Sequence, residues 1–157
     1  MPGGVGGRGL APLRPDPTNE SAMPKLRALL LSAALLMLTA TAQASVQAAE
    51  EAALAWLAKI DNSEYEQAWE AASPLLSTPL SATMLERTVA LSRKDFGSVQ
   101  SRRRVRVSQY TSMPGAERGD FKVVTFQTQF ANRPRVVEVV TPHLENGTWR
   151  VSGYYIE

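Results

Sequence analysis

The spacing of the apolar residues changes once along this chain, and that change restricts the possible fold more than any other feature. Between about Val46 and Asp95 apolar residues recur at helical spacing, whereas from Ser98 to Ile156 they largely alternate with polar ones. The first pattern is typical of amphipathic helices and the second of half-buried strands. A helical first half followed by a strand-rich second half predicts an α+β domain with helices on one face of a curved antiparallel sheet.

Three helices are predicted in the first half. The first runs from about Val46 to Ile60. The second begins at Ser63, because Ser63 and Glu66 fit the capping-box pattern, and it ends at Pro74. The third covers about Ser81–Asp95. Three aromatic residues lie at helical spacing and are predicted to be core rather than a ligand box: Trp56, Tyr65 and Trp69.

Four strands are predicted in the second half, in the order of a simple meander: Val99–Tyr110, Phe121–Phe130, Val136–Leu144 and Thr148–Ile156. Asn146-Gly147 is a strong signal for a two-residue hairpin, so it sets the register of the last two strands. In that register Glu138 lies opposite Tyr155, on the face of the sheet that meets the helices.

Residues 23–44 contain the three parts of a secretory signal peptide. A basic start at Met23 precedes an uncharged apolar run from Ala28 to Leu38, and Ala42-Gln43-Ala44 forms a small-residue cleavage site. A retained membrane anchor is the alternative, but the run is shorter than the about 20 apolar residues that a spanning helix needs. We therefore expect cleavage after Ala44 and a periplasmic or secreted domain at residues 45–157 with no membrane span.

Residues 1–22 are rich in glycine and proline and show no apolar period, so no folded structure is expected there. Signal peptides normally start at their basic end, which makes Met23 the expected start of translation and residues 1–22 an upstream segment. From Ser45 onward thirteen basic residues balance thirteen acidic ones, and this neutrality gives no reason to expect a nucleic-acid partner.

Cysteine is absent and His143 is the only histidine, which excludes disulfides, thiol catalysis and a site of several histidines within one chain. We predict neither a metal nor a cofactor. His143 falls near the hairpin opposite Arg150, where a solvated surface residue is expected.

Glu138 is the first candidate site residue, because a carboxylate on a core-facing position must be paired or must open to a cavity. One interpretation is a structural tie to a tyrosine hydroxyl or an arginine. The other is a polar anchor in a ligand pocket between sheet and helices, with Tyr155 and Arg103 as the other pocket candidates.

Arginines dominate the first strand. Alternation puts Arg102, Arg104 and Arg106 on the outer face, opposite to Val105 and Val107, which are expected to point at the core. Such a basic ridge is either a solvated face or a surface for an anionic lipid head group, a glycan or an acidic partner. Tyr110, Tyr154 and Ile156, which are expected on the same face, also raise the possibility of a homodimer.

The order of helices and strands resembles the cone-shaped fold of the nuclear-transport-factor-2-like superfamily. A closer resemblance is to an uncharacterised bacterial family, domain of unknown function 4019, and it covers almost all of residues 45–157. It rests on these segments: 55–61 (AWLAKID), 112–116 (SMPGA), 130–132 (FAN), 138–142 (EVVTP) and 149–155 (WRVSGYY). The resemblance implies a periplasmic or secreted location and no known activity.

Two classes of function follow. The favoured one is a non-enzymatic binding or interaction module whose partner is a small molecule or a protein of the envelope. The alternative is a small cavity enzyme, similar to a hydrolase or isomerase, that uses Glu138 and Tyr155.

Overall fold

The computed structural model describes residues 1, 3, 4, 6, 7, 9 and 23–157. The chain divides into two units, Met1–Ala40 and Thr41–Glu157. The predicted unfolded segment, residues 1–22, lies mostly outside the described residues. Among the described residues, no helix combines the length and the apolar character needed to cross a bilayer.

In the described part of the chain, four helices precede the sheet: α1 (Met23–Asp61), α2 (Tyr65–Ala71), α3 (Pro74–Ser77) and α4 (Ala82–Ser92). The prediction of three helices omitted the single turn of α3. Pro74 was interpreted as the end of a helix, but its fixed φ angle also suits the first turn of one. Ser73 caps that turn, since its Oγ accepts a hydrogen bond from the Leu75 amide at 3.2 Å.

The predicted capping box at Ser63 is wrong. Ser63 has a φ of 62°, and its amide donates to the Ile60 carbonyl at 3.1 Å while the Glu64 amide donates to the Lys59 carbonyl at 2.8 Å. These two bonds form the Schellman motif that ends a helix. Ser63 therefore ends α1, and α2 begins without a side-chain cap.

The second half forms an open antiparallel sheet in the order β1-β2-β3-β4, with β1 (Val99–Tyr110), β2 (Phe121–Phe130), β3 (Val136–Glu145) and β4 (Thr148–Ile156). The predicted bounds are confirmed, except that β3 is one residue longer. Asn146 and Gly147 both have positive φ angles, as the hairpin turn requires.

Irregularities in the two edge strands determine which side chains face the helices. Next to the hairpin the register is the predicted one, with Pro142 opposite Val151, but Thr141 then pairs with Gly153. Ser152 is therefore an extra residue in β4, and beyond it the predicted register is wrong by one position. The register of β1 shifts twice, between Val99 and Ser101 and between Arg104 and Arg106, and the latter shift leaves Val105 without a partner. Since each strand alternates its faces, one extra residue reverses the facing of the residues on one side of it.

The core lies between the helices and one face of the sheet. Trp56 is 2% exposed, as predicted, and Tyr65 and Trp69 pack against the core with partial burial. The Trp56 indole donates to the Ala68 carbonyl at 2.8 Å and thereby joins α1 to α2. The buried apolar residues of this cluster are Ala53, Trp56, Leu57, Ile60, Ala68, Ala72, Leu76, Leu85, Val89, Val124, Phe126, Val140 and Val151.

Candidate functional site

Six polar side chains meet between the helices and the sheet, and we call them the Glu138 cluster. Two helices and all four strands contribute to it, so it forms only when every layer of the domain is in place. Its members are Asp61 at the end of α1, Arg93 after α4, Arg102 on β1, Thr128 on β2, Glu138 on β3 and Tyr154 on β4.

Glu138 is the centre of the cluster and is 0% exposed. Its Oε1 accepts from Arg93 Nη2 at 2.5 Å and from the Tyr154 hydroxyl at 2.7 Å. Its Oε2 accepts from Arg102 Nε at 2.8 Å and from the Thr128 hydroxyl. A carboxylate has about four acceptor positions, so Glu138 has none left for a ligand.

Asp61 completes the charge balance. It accepts from Arg93 Nη1 at 2.7 Å and from Arg102 Nη1 at 2.7 Å, and it is 20% exposed. The side chains of Arg93 and Arg102 are 12% and 9% exposed. Two carboxylates and two guanidinium groups therefore neutralise one another, as buried charges must. Among the described residues no buried side-chain nitrogen or oxygen lacks a hydrogen-bond partner.

The electrostatics fix the protonation states. Burial acts to raise the pKa of Glu138, but the hydrogen bond and charge of Arg102 and the charge of Arg93 outweigh it and lower that pKa. Asp61 has a lowered pKa for the same reasons. Burial, followed by the charge of Glu138, raises the pKa of Tyr154. Both carboxylates are therefore ionised and the phenol is protonated near neutral pH, which suits a structural tie rather than a general base.

Two predicted pocket residues do not lie beside Glu138. Tyr155 is 52% exposed on the outer face, because the extra residue Ser152 brings Tyr154 to the core side instead. Arg103 also faces outward, where it donates to Gln127 Oε1. The sequence suggested that a tyrosine or an arginine ties Glu138 in place. Both residue types do so, but they are Tyr154, Arg93 and Arg102 rather than Tyr155 and Arg103.

The predicted basic ridge of Arg102, Arg104 and Arg106 does not form a row on the outer face. Arg102 lies inside the Glu138 cluster, Arg104 binds Glu50 of α1 at 2.6 Å, and Arg106 is exposed. The prediction placed Val105 and Val107 on the same inner face. The irregularity at Val105 reverses the facing of the residues before it, and Val105 itself is exposed.

A serine, a histidine and a glutamate also meet at the hairpin end of the sheet. Glu145 Oε1 accepts from the Ser73 hydroxyl and lies 2.9 Å from His143 Nδ1. His143 stacks on Phe121 with 4.1 Å between ring centres, so it is less solvated than expected. A hydrolytic triad needs the histidine between serine and acid, whereas here the acid lies between them. This arrangement ties α3 to β3.

An apolar groove lies between α4 and β4 and has a volume of about 330 Å³. In the described part of the chain its lining carries no charged residue. It is formed by Leu76, Leu80, Leu85, Thr88, Val89, Ser92, Tyr154, Tyr155 and Ile156. Tyr154 thus joins the groove to the Glu138 cluster, since its ring lines the one and its hydroxyl belongs to the other.

Sequence reasoning missed Asp61, Arg93, Thr128 and Tyr154. Asp61 was interpreted as a helix end, and Arg93 lay within the predicted third helix without an assigned role. One signal could have found them: a buried Glu138 needs about four donors, and arginines at the ends of neighbouring elements can supply them. Tyr154 required the Ser152 irregularity, for which Gly153 inside the strand pattern and Pro142 on the facing strand are the sequence signals.

Comparison with known proteins identifies a family. The model of the family described as a protein of unknown function (DUF4019) matches residues 52–154, which include every member of the Glu138 cluster. Neither the curated proteins nor the solved structures include a significant match to this chain. The chain therefore belongs to the DUF4019 family.

Proposed function

We propose that this protein is a non-enzymatic binding module of the bacterial envelope, exported by the signal at residues 23–44, which holds a small uncharged apolar molecule in the groove between α4 and β4. The groove is the observation that carries the proposal. Its volume of about 330 Å³ falls in the range of small-molecule sites, which are concave and mostly apolar.

The chemistry of the lining selects the ligand. Leu80, Leu85 and Val89 form one wall and Ile156 contributes to the other. The polar groups are hydroxyls, and of these Tyr154 is already bound to Glu138. A charged ligand would lose its hydration without gaining an opposite charge, which is costly. An apolar ligand gains about 25 cal/mol per Å² of surface that leaves water.

The saturated Glu138 cluster argues against catalysis between sheet and helices. A general base must reach a substrate proton, but both oxygens of Glu138 are taken by Arg93, Arg102, Thr128 and Tyr154. The same cluster fixes the position of Tyr154 in the groove lining. The ring centres of Tyr154 and Trp56 lie 5.4 Å apart, and the Tyr154 hydroxyl donates to Glu138.

Export is supported by the order of the basic, apolar and small-residue segments in 23–44. Cleavage after Ala44 would also preserve the buried part of α1, since Ala49 is the first residue described as buried. The relation to the cone-shaped nuclear-transport-factor-2-like superfamily belongs to this proposal as well. It rests on the order of helices and strands.

The groove is tested with Nile red, a neutral apolar dye, titrated into the full chain and followed by fluorescence. Thr88 is an exposed lining residue, so Thr88→Trp fills the groove and is expected to weaken binding about tenfold or more. Thr83→Trp is the matched control, because Thr83 is exposed on the same helix and lies outside the lining. Equal affinities for the two variants would show that the dye binds elsewhere.

Export is tested by fusing residues 23–50 to an alkaline phosphatase that lacks its own leader. Active enzyme outside the cytoplasm and a processed N-terminus at Ser45 are expected. An arginine in place of Leu35, in the middle of the apolar run, is the control and should abolish export. Activity that survives this substitution, or an unprocessed fusion held in the cytoplasm, would contradict the proposal.

A further inference from the structure

A second concavity lies on the outer face, where β1, β2 and the turn after β2 meet; we call it the arginine basin. Its volume is about 310 Å³, and it is separate from the apolar groove and from the function proposed above. It is lined by Ser101, Arg102, Arg103, Gln127, Gln129, Pro134 and Arg135.

Two positive charges in the basin have no acidic partner among the residues that the structure describes. Arg103 donates to the neutral amide oxygen of Gln127, and neither Arg103 nor Arg135 forms an ion pair with any described residue. Arg102 differs, because Asp61 and Glu138 already neutralise its charge. The basin therefore carries a net charge of about +2 from these two guanidinium groups.

The glutamines add donors rather than acceptors. Gln127 Oε1 is occupied by Arg103, and Gln129 Oε1 accepts from the Ser101 hydroxyl at 3.5 Å. The side-chain NH₂ groups of both glutamines make no hydrogen bond within the described chain. With its amide oxygens occupied, the basin offers two guanidinium groups and two amide NH₂ groups, all of which are donors.

A site that mostly donates, with about two positive charges, matches a ligand that only accepts and carries about two negative charges. A phosphate monoester fits, since it has a charge of about −1.5 to −2 at pH 7 and three acceptor oxygens. A carboxylate or a phosphodiester supplies half that charge. We infer that the arginine basin binds a small soluble phosphate monoester. The volume of the basin accommodates the phosphoryl group together with a polar organic group about as large as a sugar.

The probe is glycerol 3-phosphate, titrated into the full chain by calorimetry at about 0.1 M ionic strength. Arg103→Gln and Arg135→Gln are each expected to weaken binding about tenfold or more, as loss of a charge-assisted hydrogen bond does. The matched control is Arg87→Gln. Arg87 is exposed on α4 outside the basin, and its replacement changes the net charge equally. Affinity in this control should stay within about twofold.

Acidification gives a second test. The second pKa of the phosphate is about 6, so affinity should fall between about pH 7.5 and 5.5 as the ligand loses one charge. Vesicles of phosphatidylglycerol, a phosphodiester, should bind weakly and without this pH dependence. No heat of binding, an equal loss in the Arg87 variant, or tighter binding to the vesicles than to glycerol 3-phosphate would each overturn the inference. Failure of Nile red to bind the groove would leave it unaffected.

Discussion

Replacing Glu138 with glutamine is the most direct test of the cluster, because the two side chains have nearly the same shape. Glutamine keeps one acceptor oxygen but presents an NH₂ group to one pair of donors, either Arg93 and Tyr154 or Arg102 and Thr128. Removing one partner of a buried ion pair costs about 3–5 kcal/mol, since it leaves an uncompensated buried charge. That cost is a large fraction of the about 5–15 kcal/mol by which domains are stable.

Urea unfolding measures this loss. With a slope of about 2 kcal/mol per molar for a domain of this size, Glu138→Gln should lower the midpoint by about 2 M. Glu86→Gln is the control, because Glu86 is exposed on α4 and forms no ion pair with the described residues. The free energy of unfolding of this control should differ from that of wild type by less than about 0.5 kcal/mol. A Glu138→Gln protein within about 1 kcal/mol of wild type at pH 7 would refute the reasoning.

The same variant predicts a pH dependence. The pKa of Glu138 in the folded protein lies below its ordinary value of 4.5, so on acidification the unfolded chain takes up that proton first. The stability contributed by Glu138 is therefore complete above about pH 5 and is lost as the pH falls through the folded pKa. The difference in unfolding free energy between wild type and Glu138→Gln should be constant from pH 7 to about 5 and shrink below about pH 4.

Four further substitutions test other parts of the fold by thermal or urea unfolding. Ser63→Gly should be neutral or stabilise by up to about 1 kcal/mol, because the φ of 62° suits glycine. A loss of about 1 kcal/mol would instead indicate that the Ser63 side chain caps α2, as the capping-box prediction requires. Gly147→Ala should cost about 1 kcal/mol because the φ of Gly147 is 80°. Gly153→Ala should cost clearly less, because the added Cβ meets Thr141 at an ordinary 3.8 Å. The opposite order of the two costs would contradict the turn assignment. Trp56→Phe leaves the buried Ala68 carbonyl without its indole donor and should cost about 1–3 kcal/mol, and no measurable change would contradict that bond.

The strand bounds were predictable because their signals are local. Alternation identifies each strand, and Asn146-Gly147 sets the register of the residues nearest to it. The facing of side chains farther along was not predictable. It depends on an extra residue at Ser152 and another at Val105. Val105 has no neighbouring glycine or proline, whereas Gly153 beside Ser152 suggests a bulge without fixing its position.

The candidate site was predictable only to the level of Glu138. Its place on the inner face and its need for partners both followed from the sequence. The partners could not be identified, because they come from five other elements whose contacts depend on tertiary packing. The arginine basin was not predictable from the sequence either. Arg135 follows a turn, and the sequence does not show that it lines the same concavity as Arg103.

The Glu138 cluster also has a consequence for how the chain folds. Arg93 and Tyr154 are 61 positions apart, and the bond between Arg102 and Glu138 spans 36. Contacts this distant in sequence form late, because loop closure must precede them. Before β4 pairs with β3, Glu138 lacks the Tyr154 donor and the helices lack the core residues of β4. We therefore expect unfolding of residues 45–157 as one cooperative unit, with no stable intermediate that lacks the last strand.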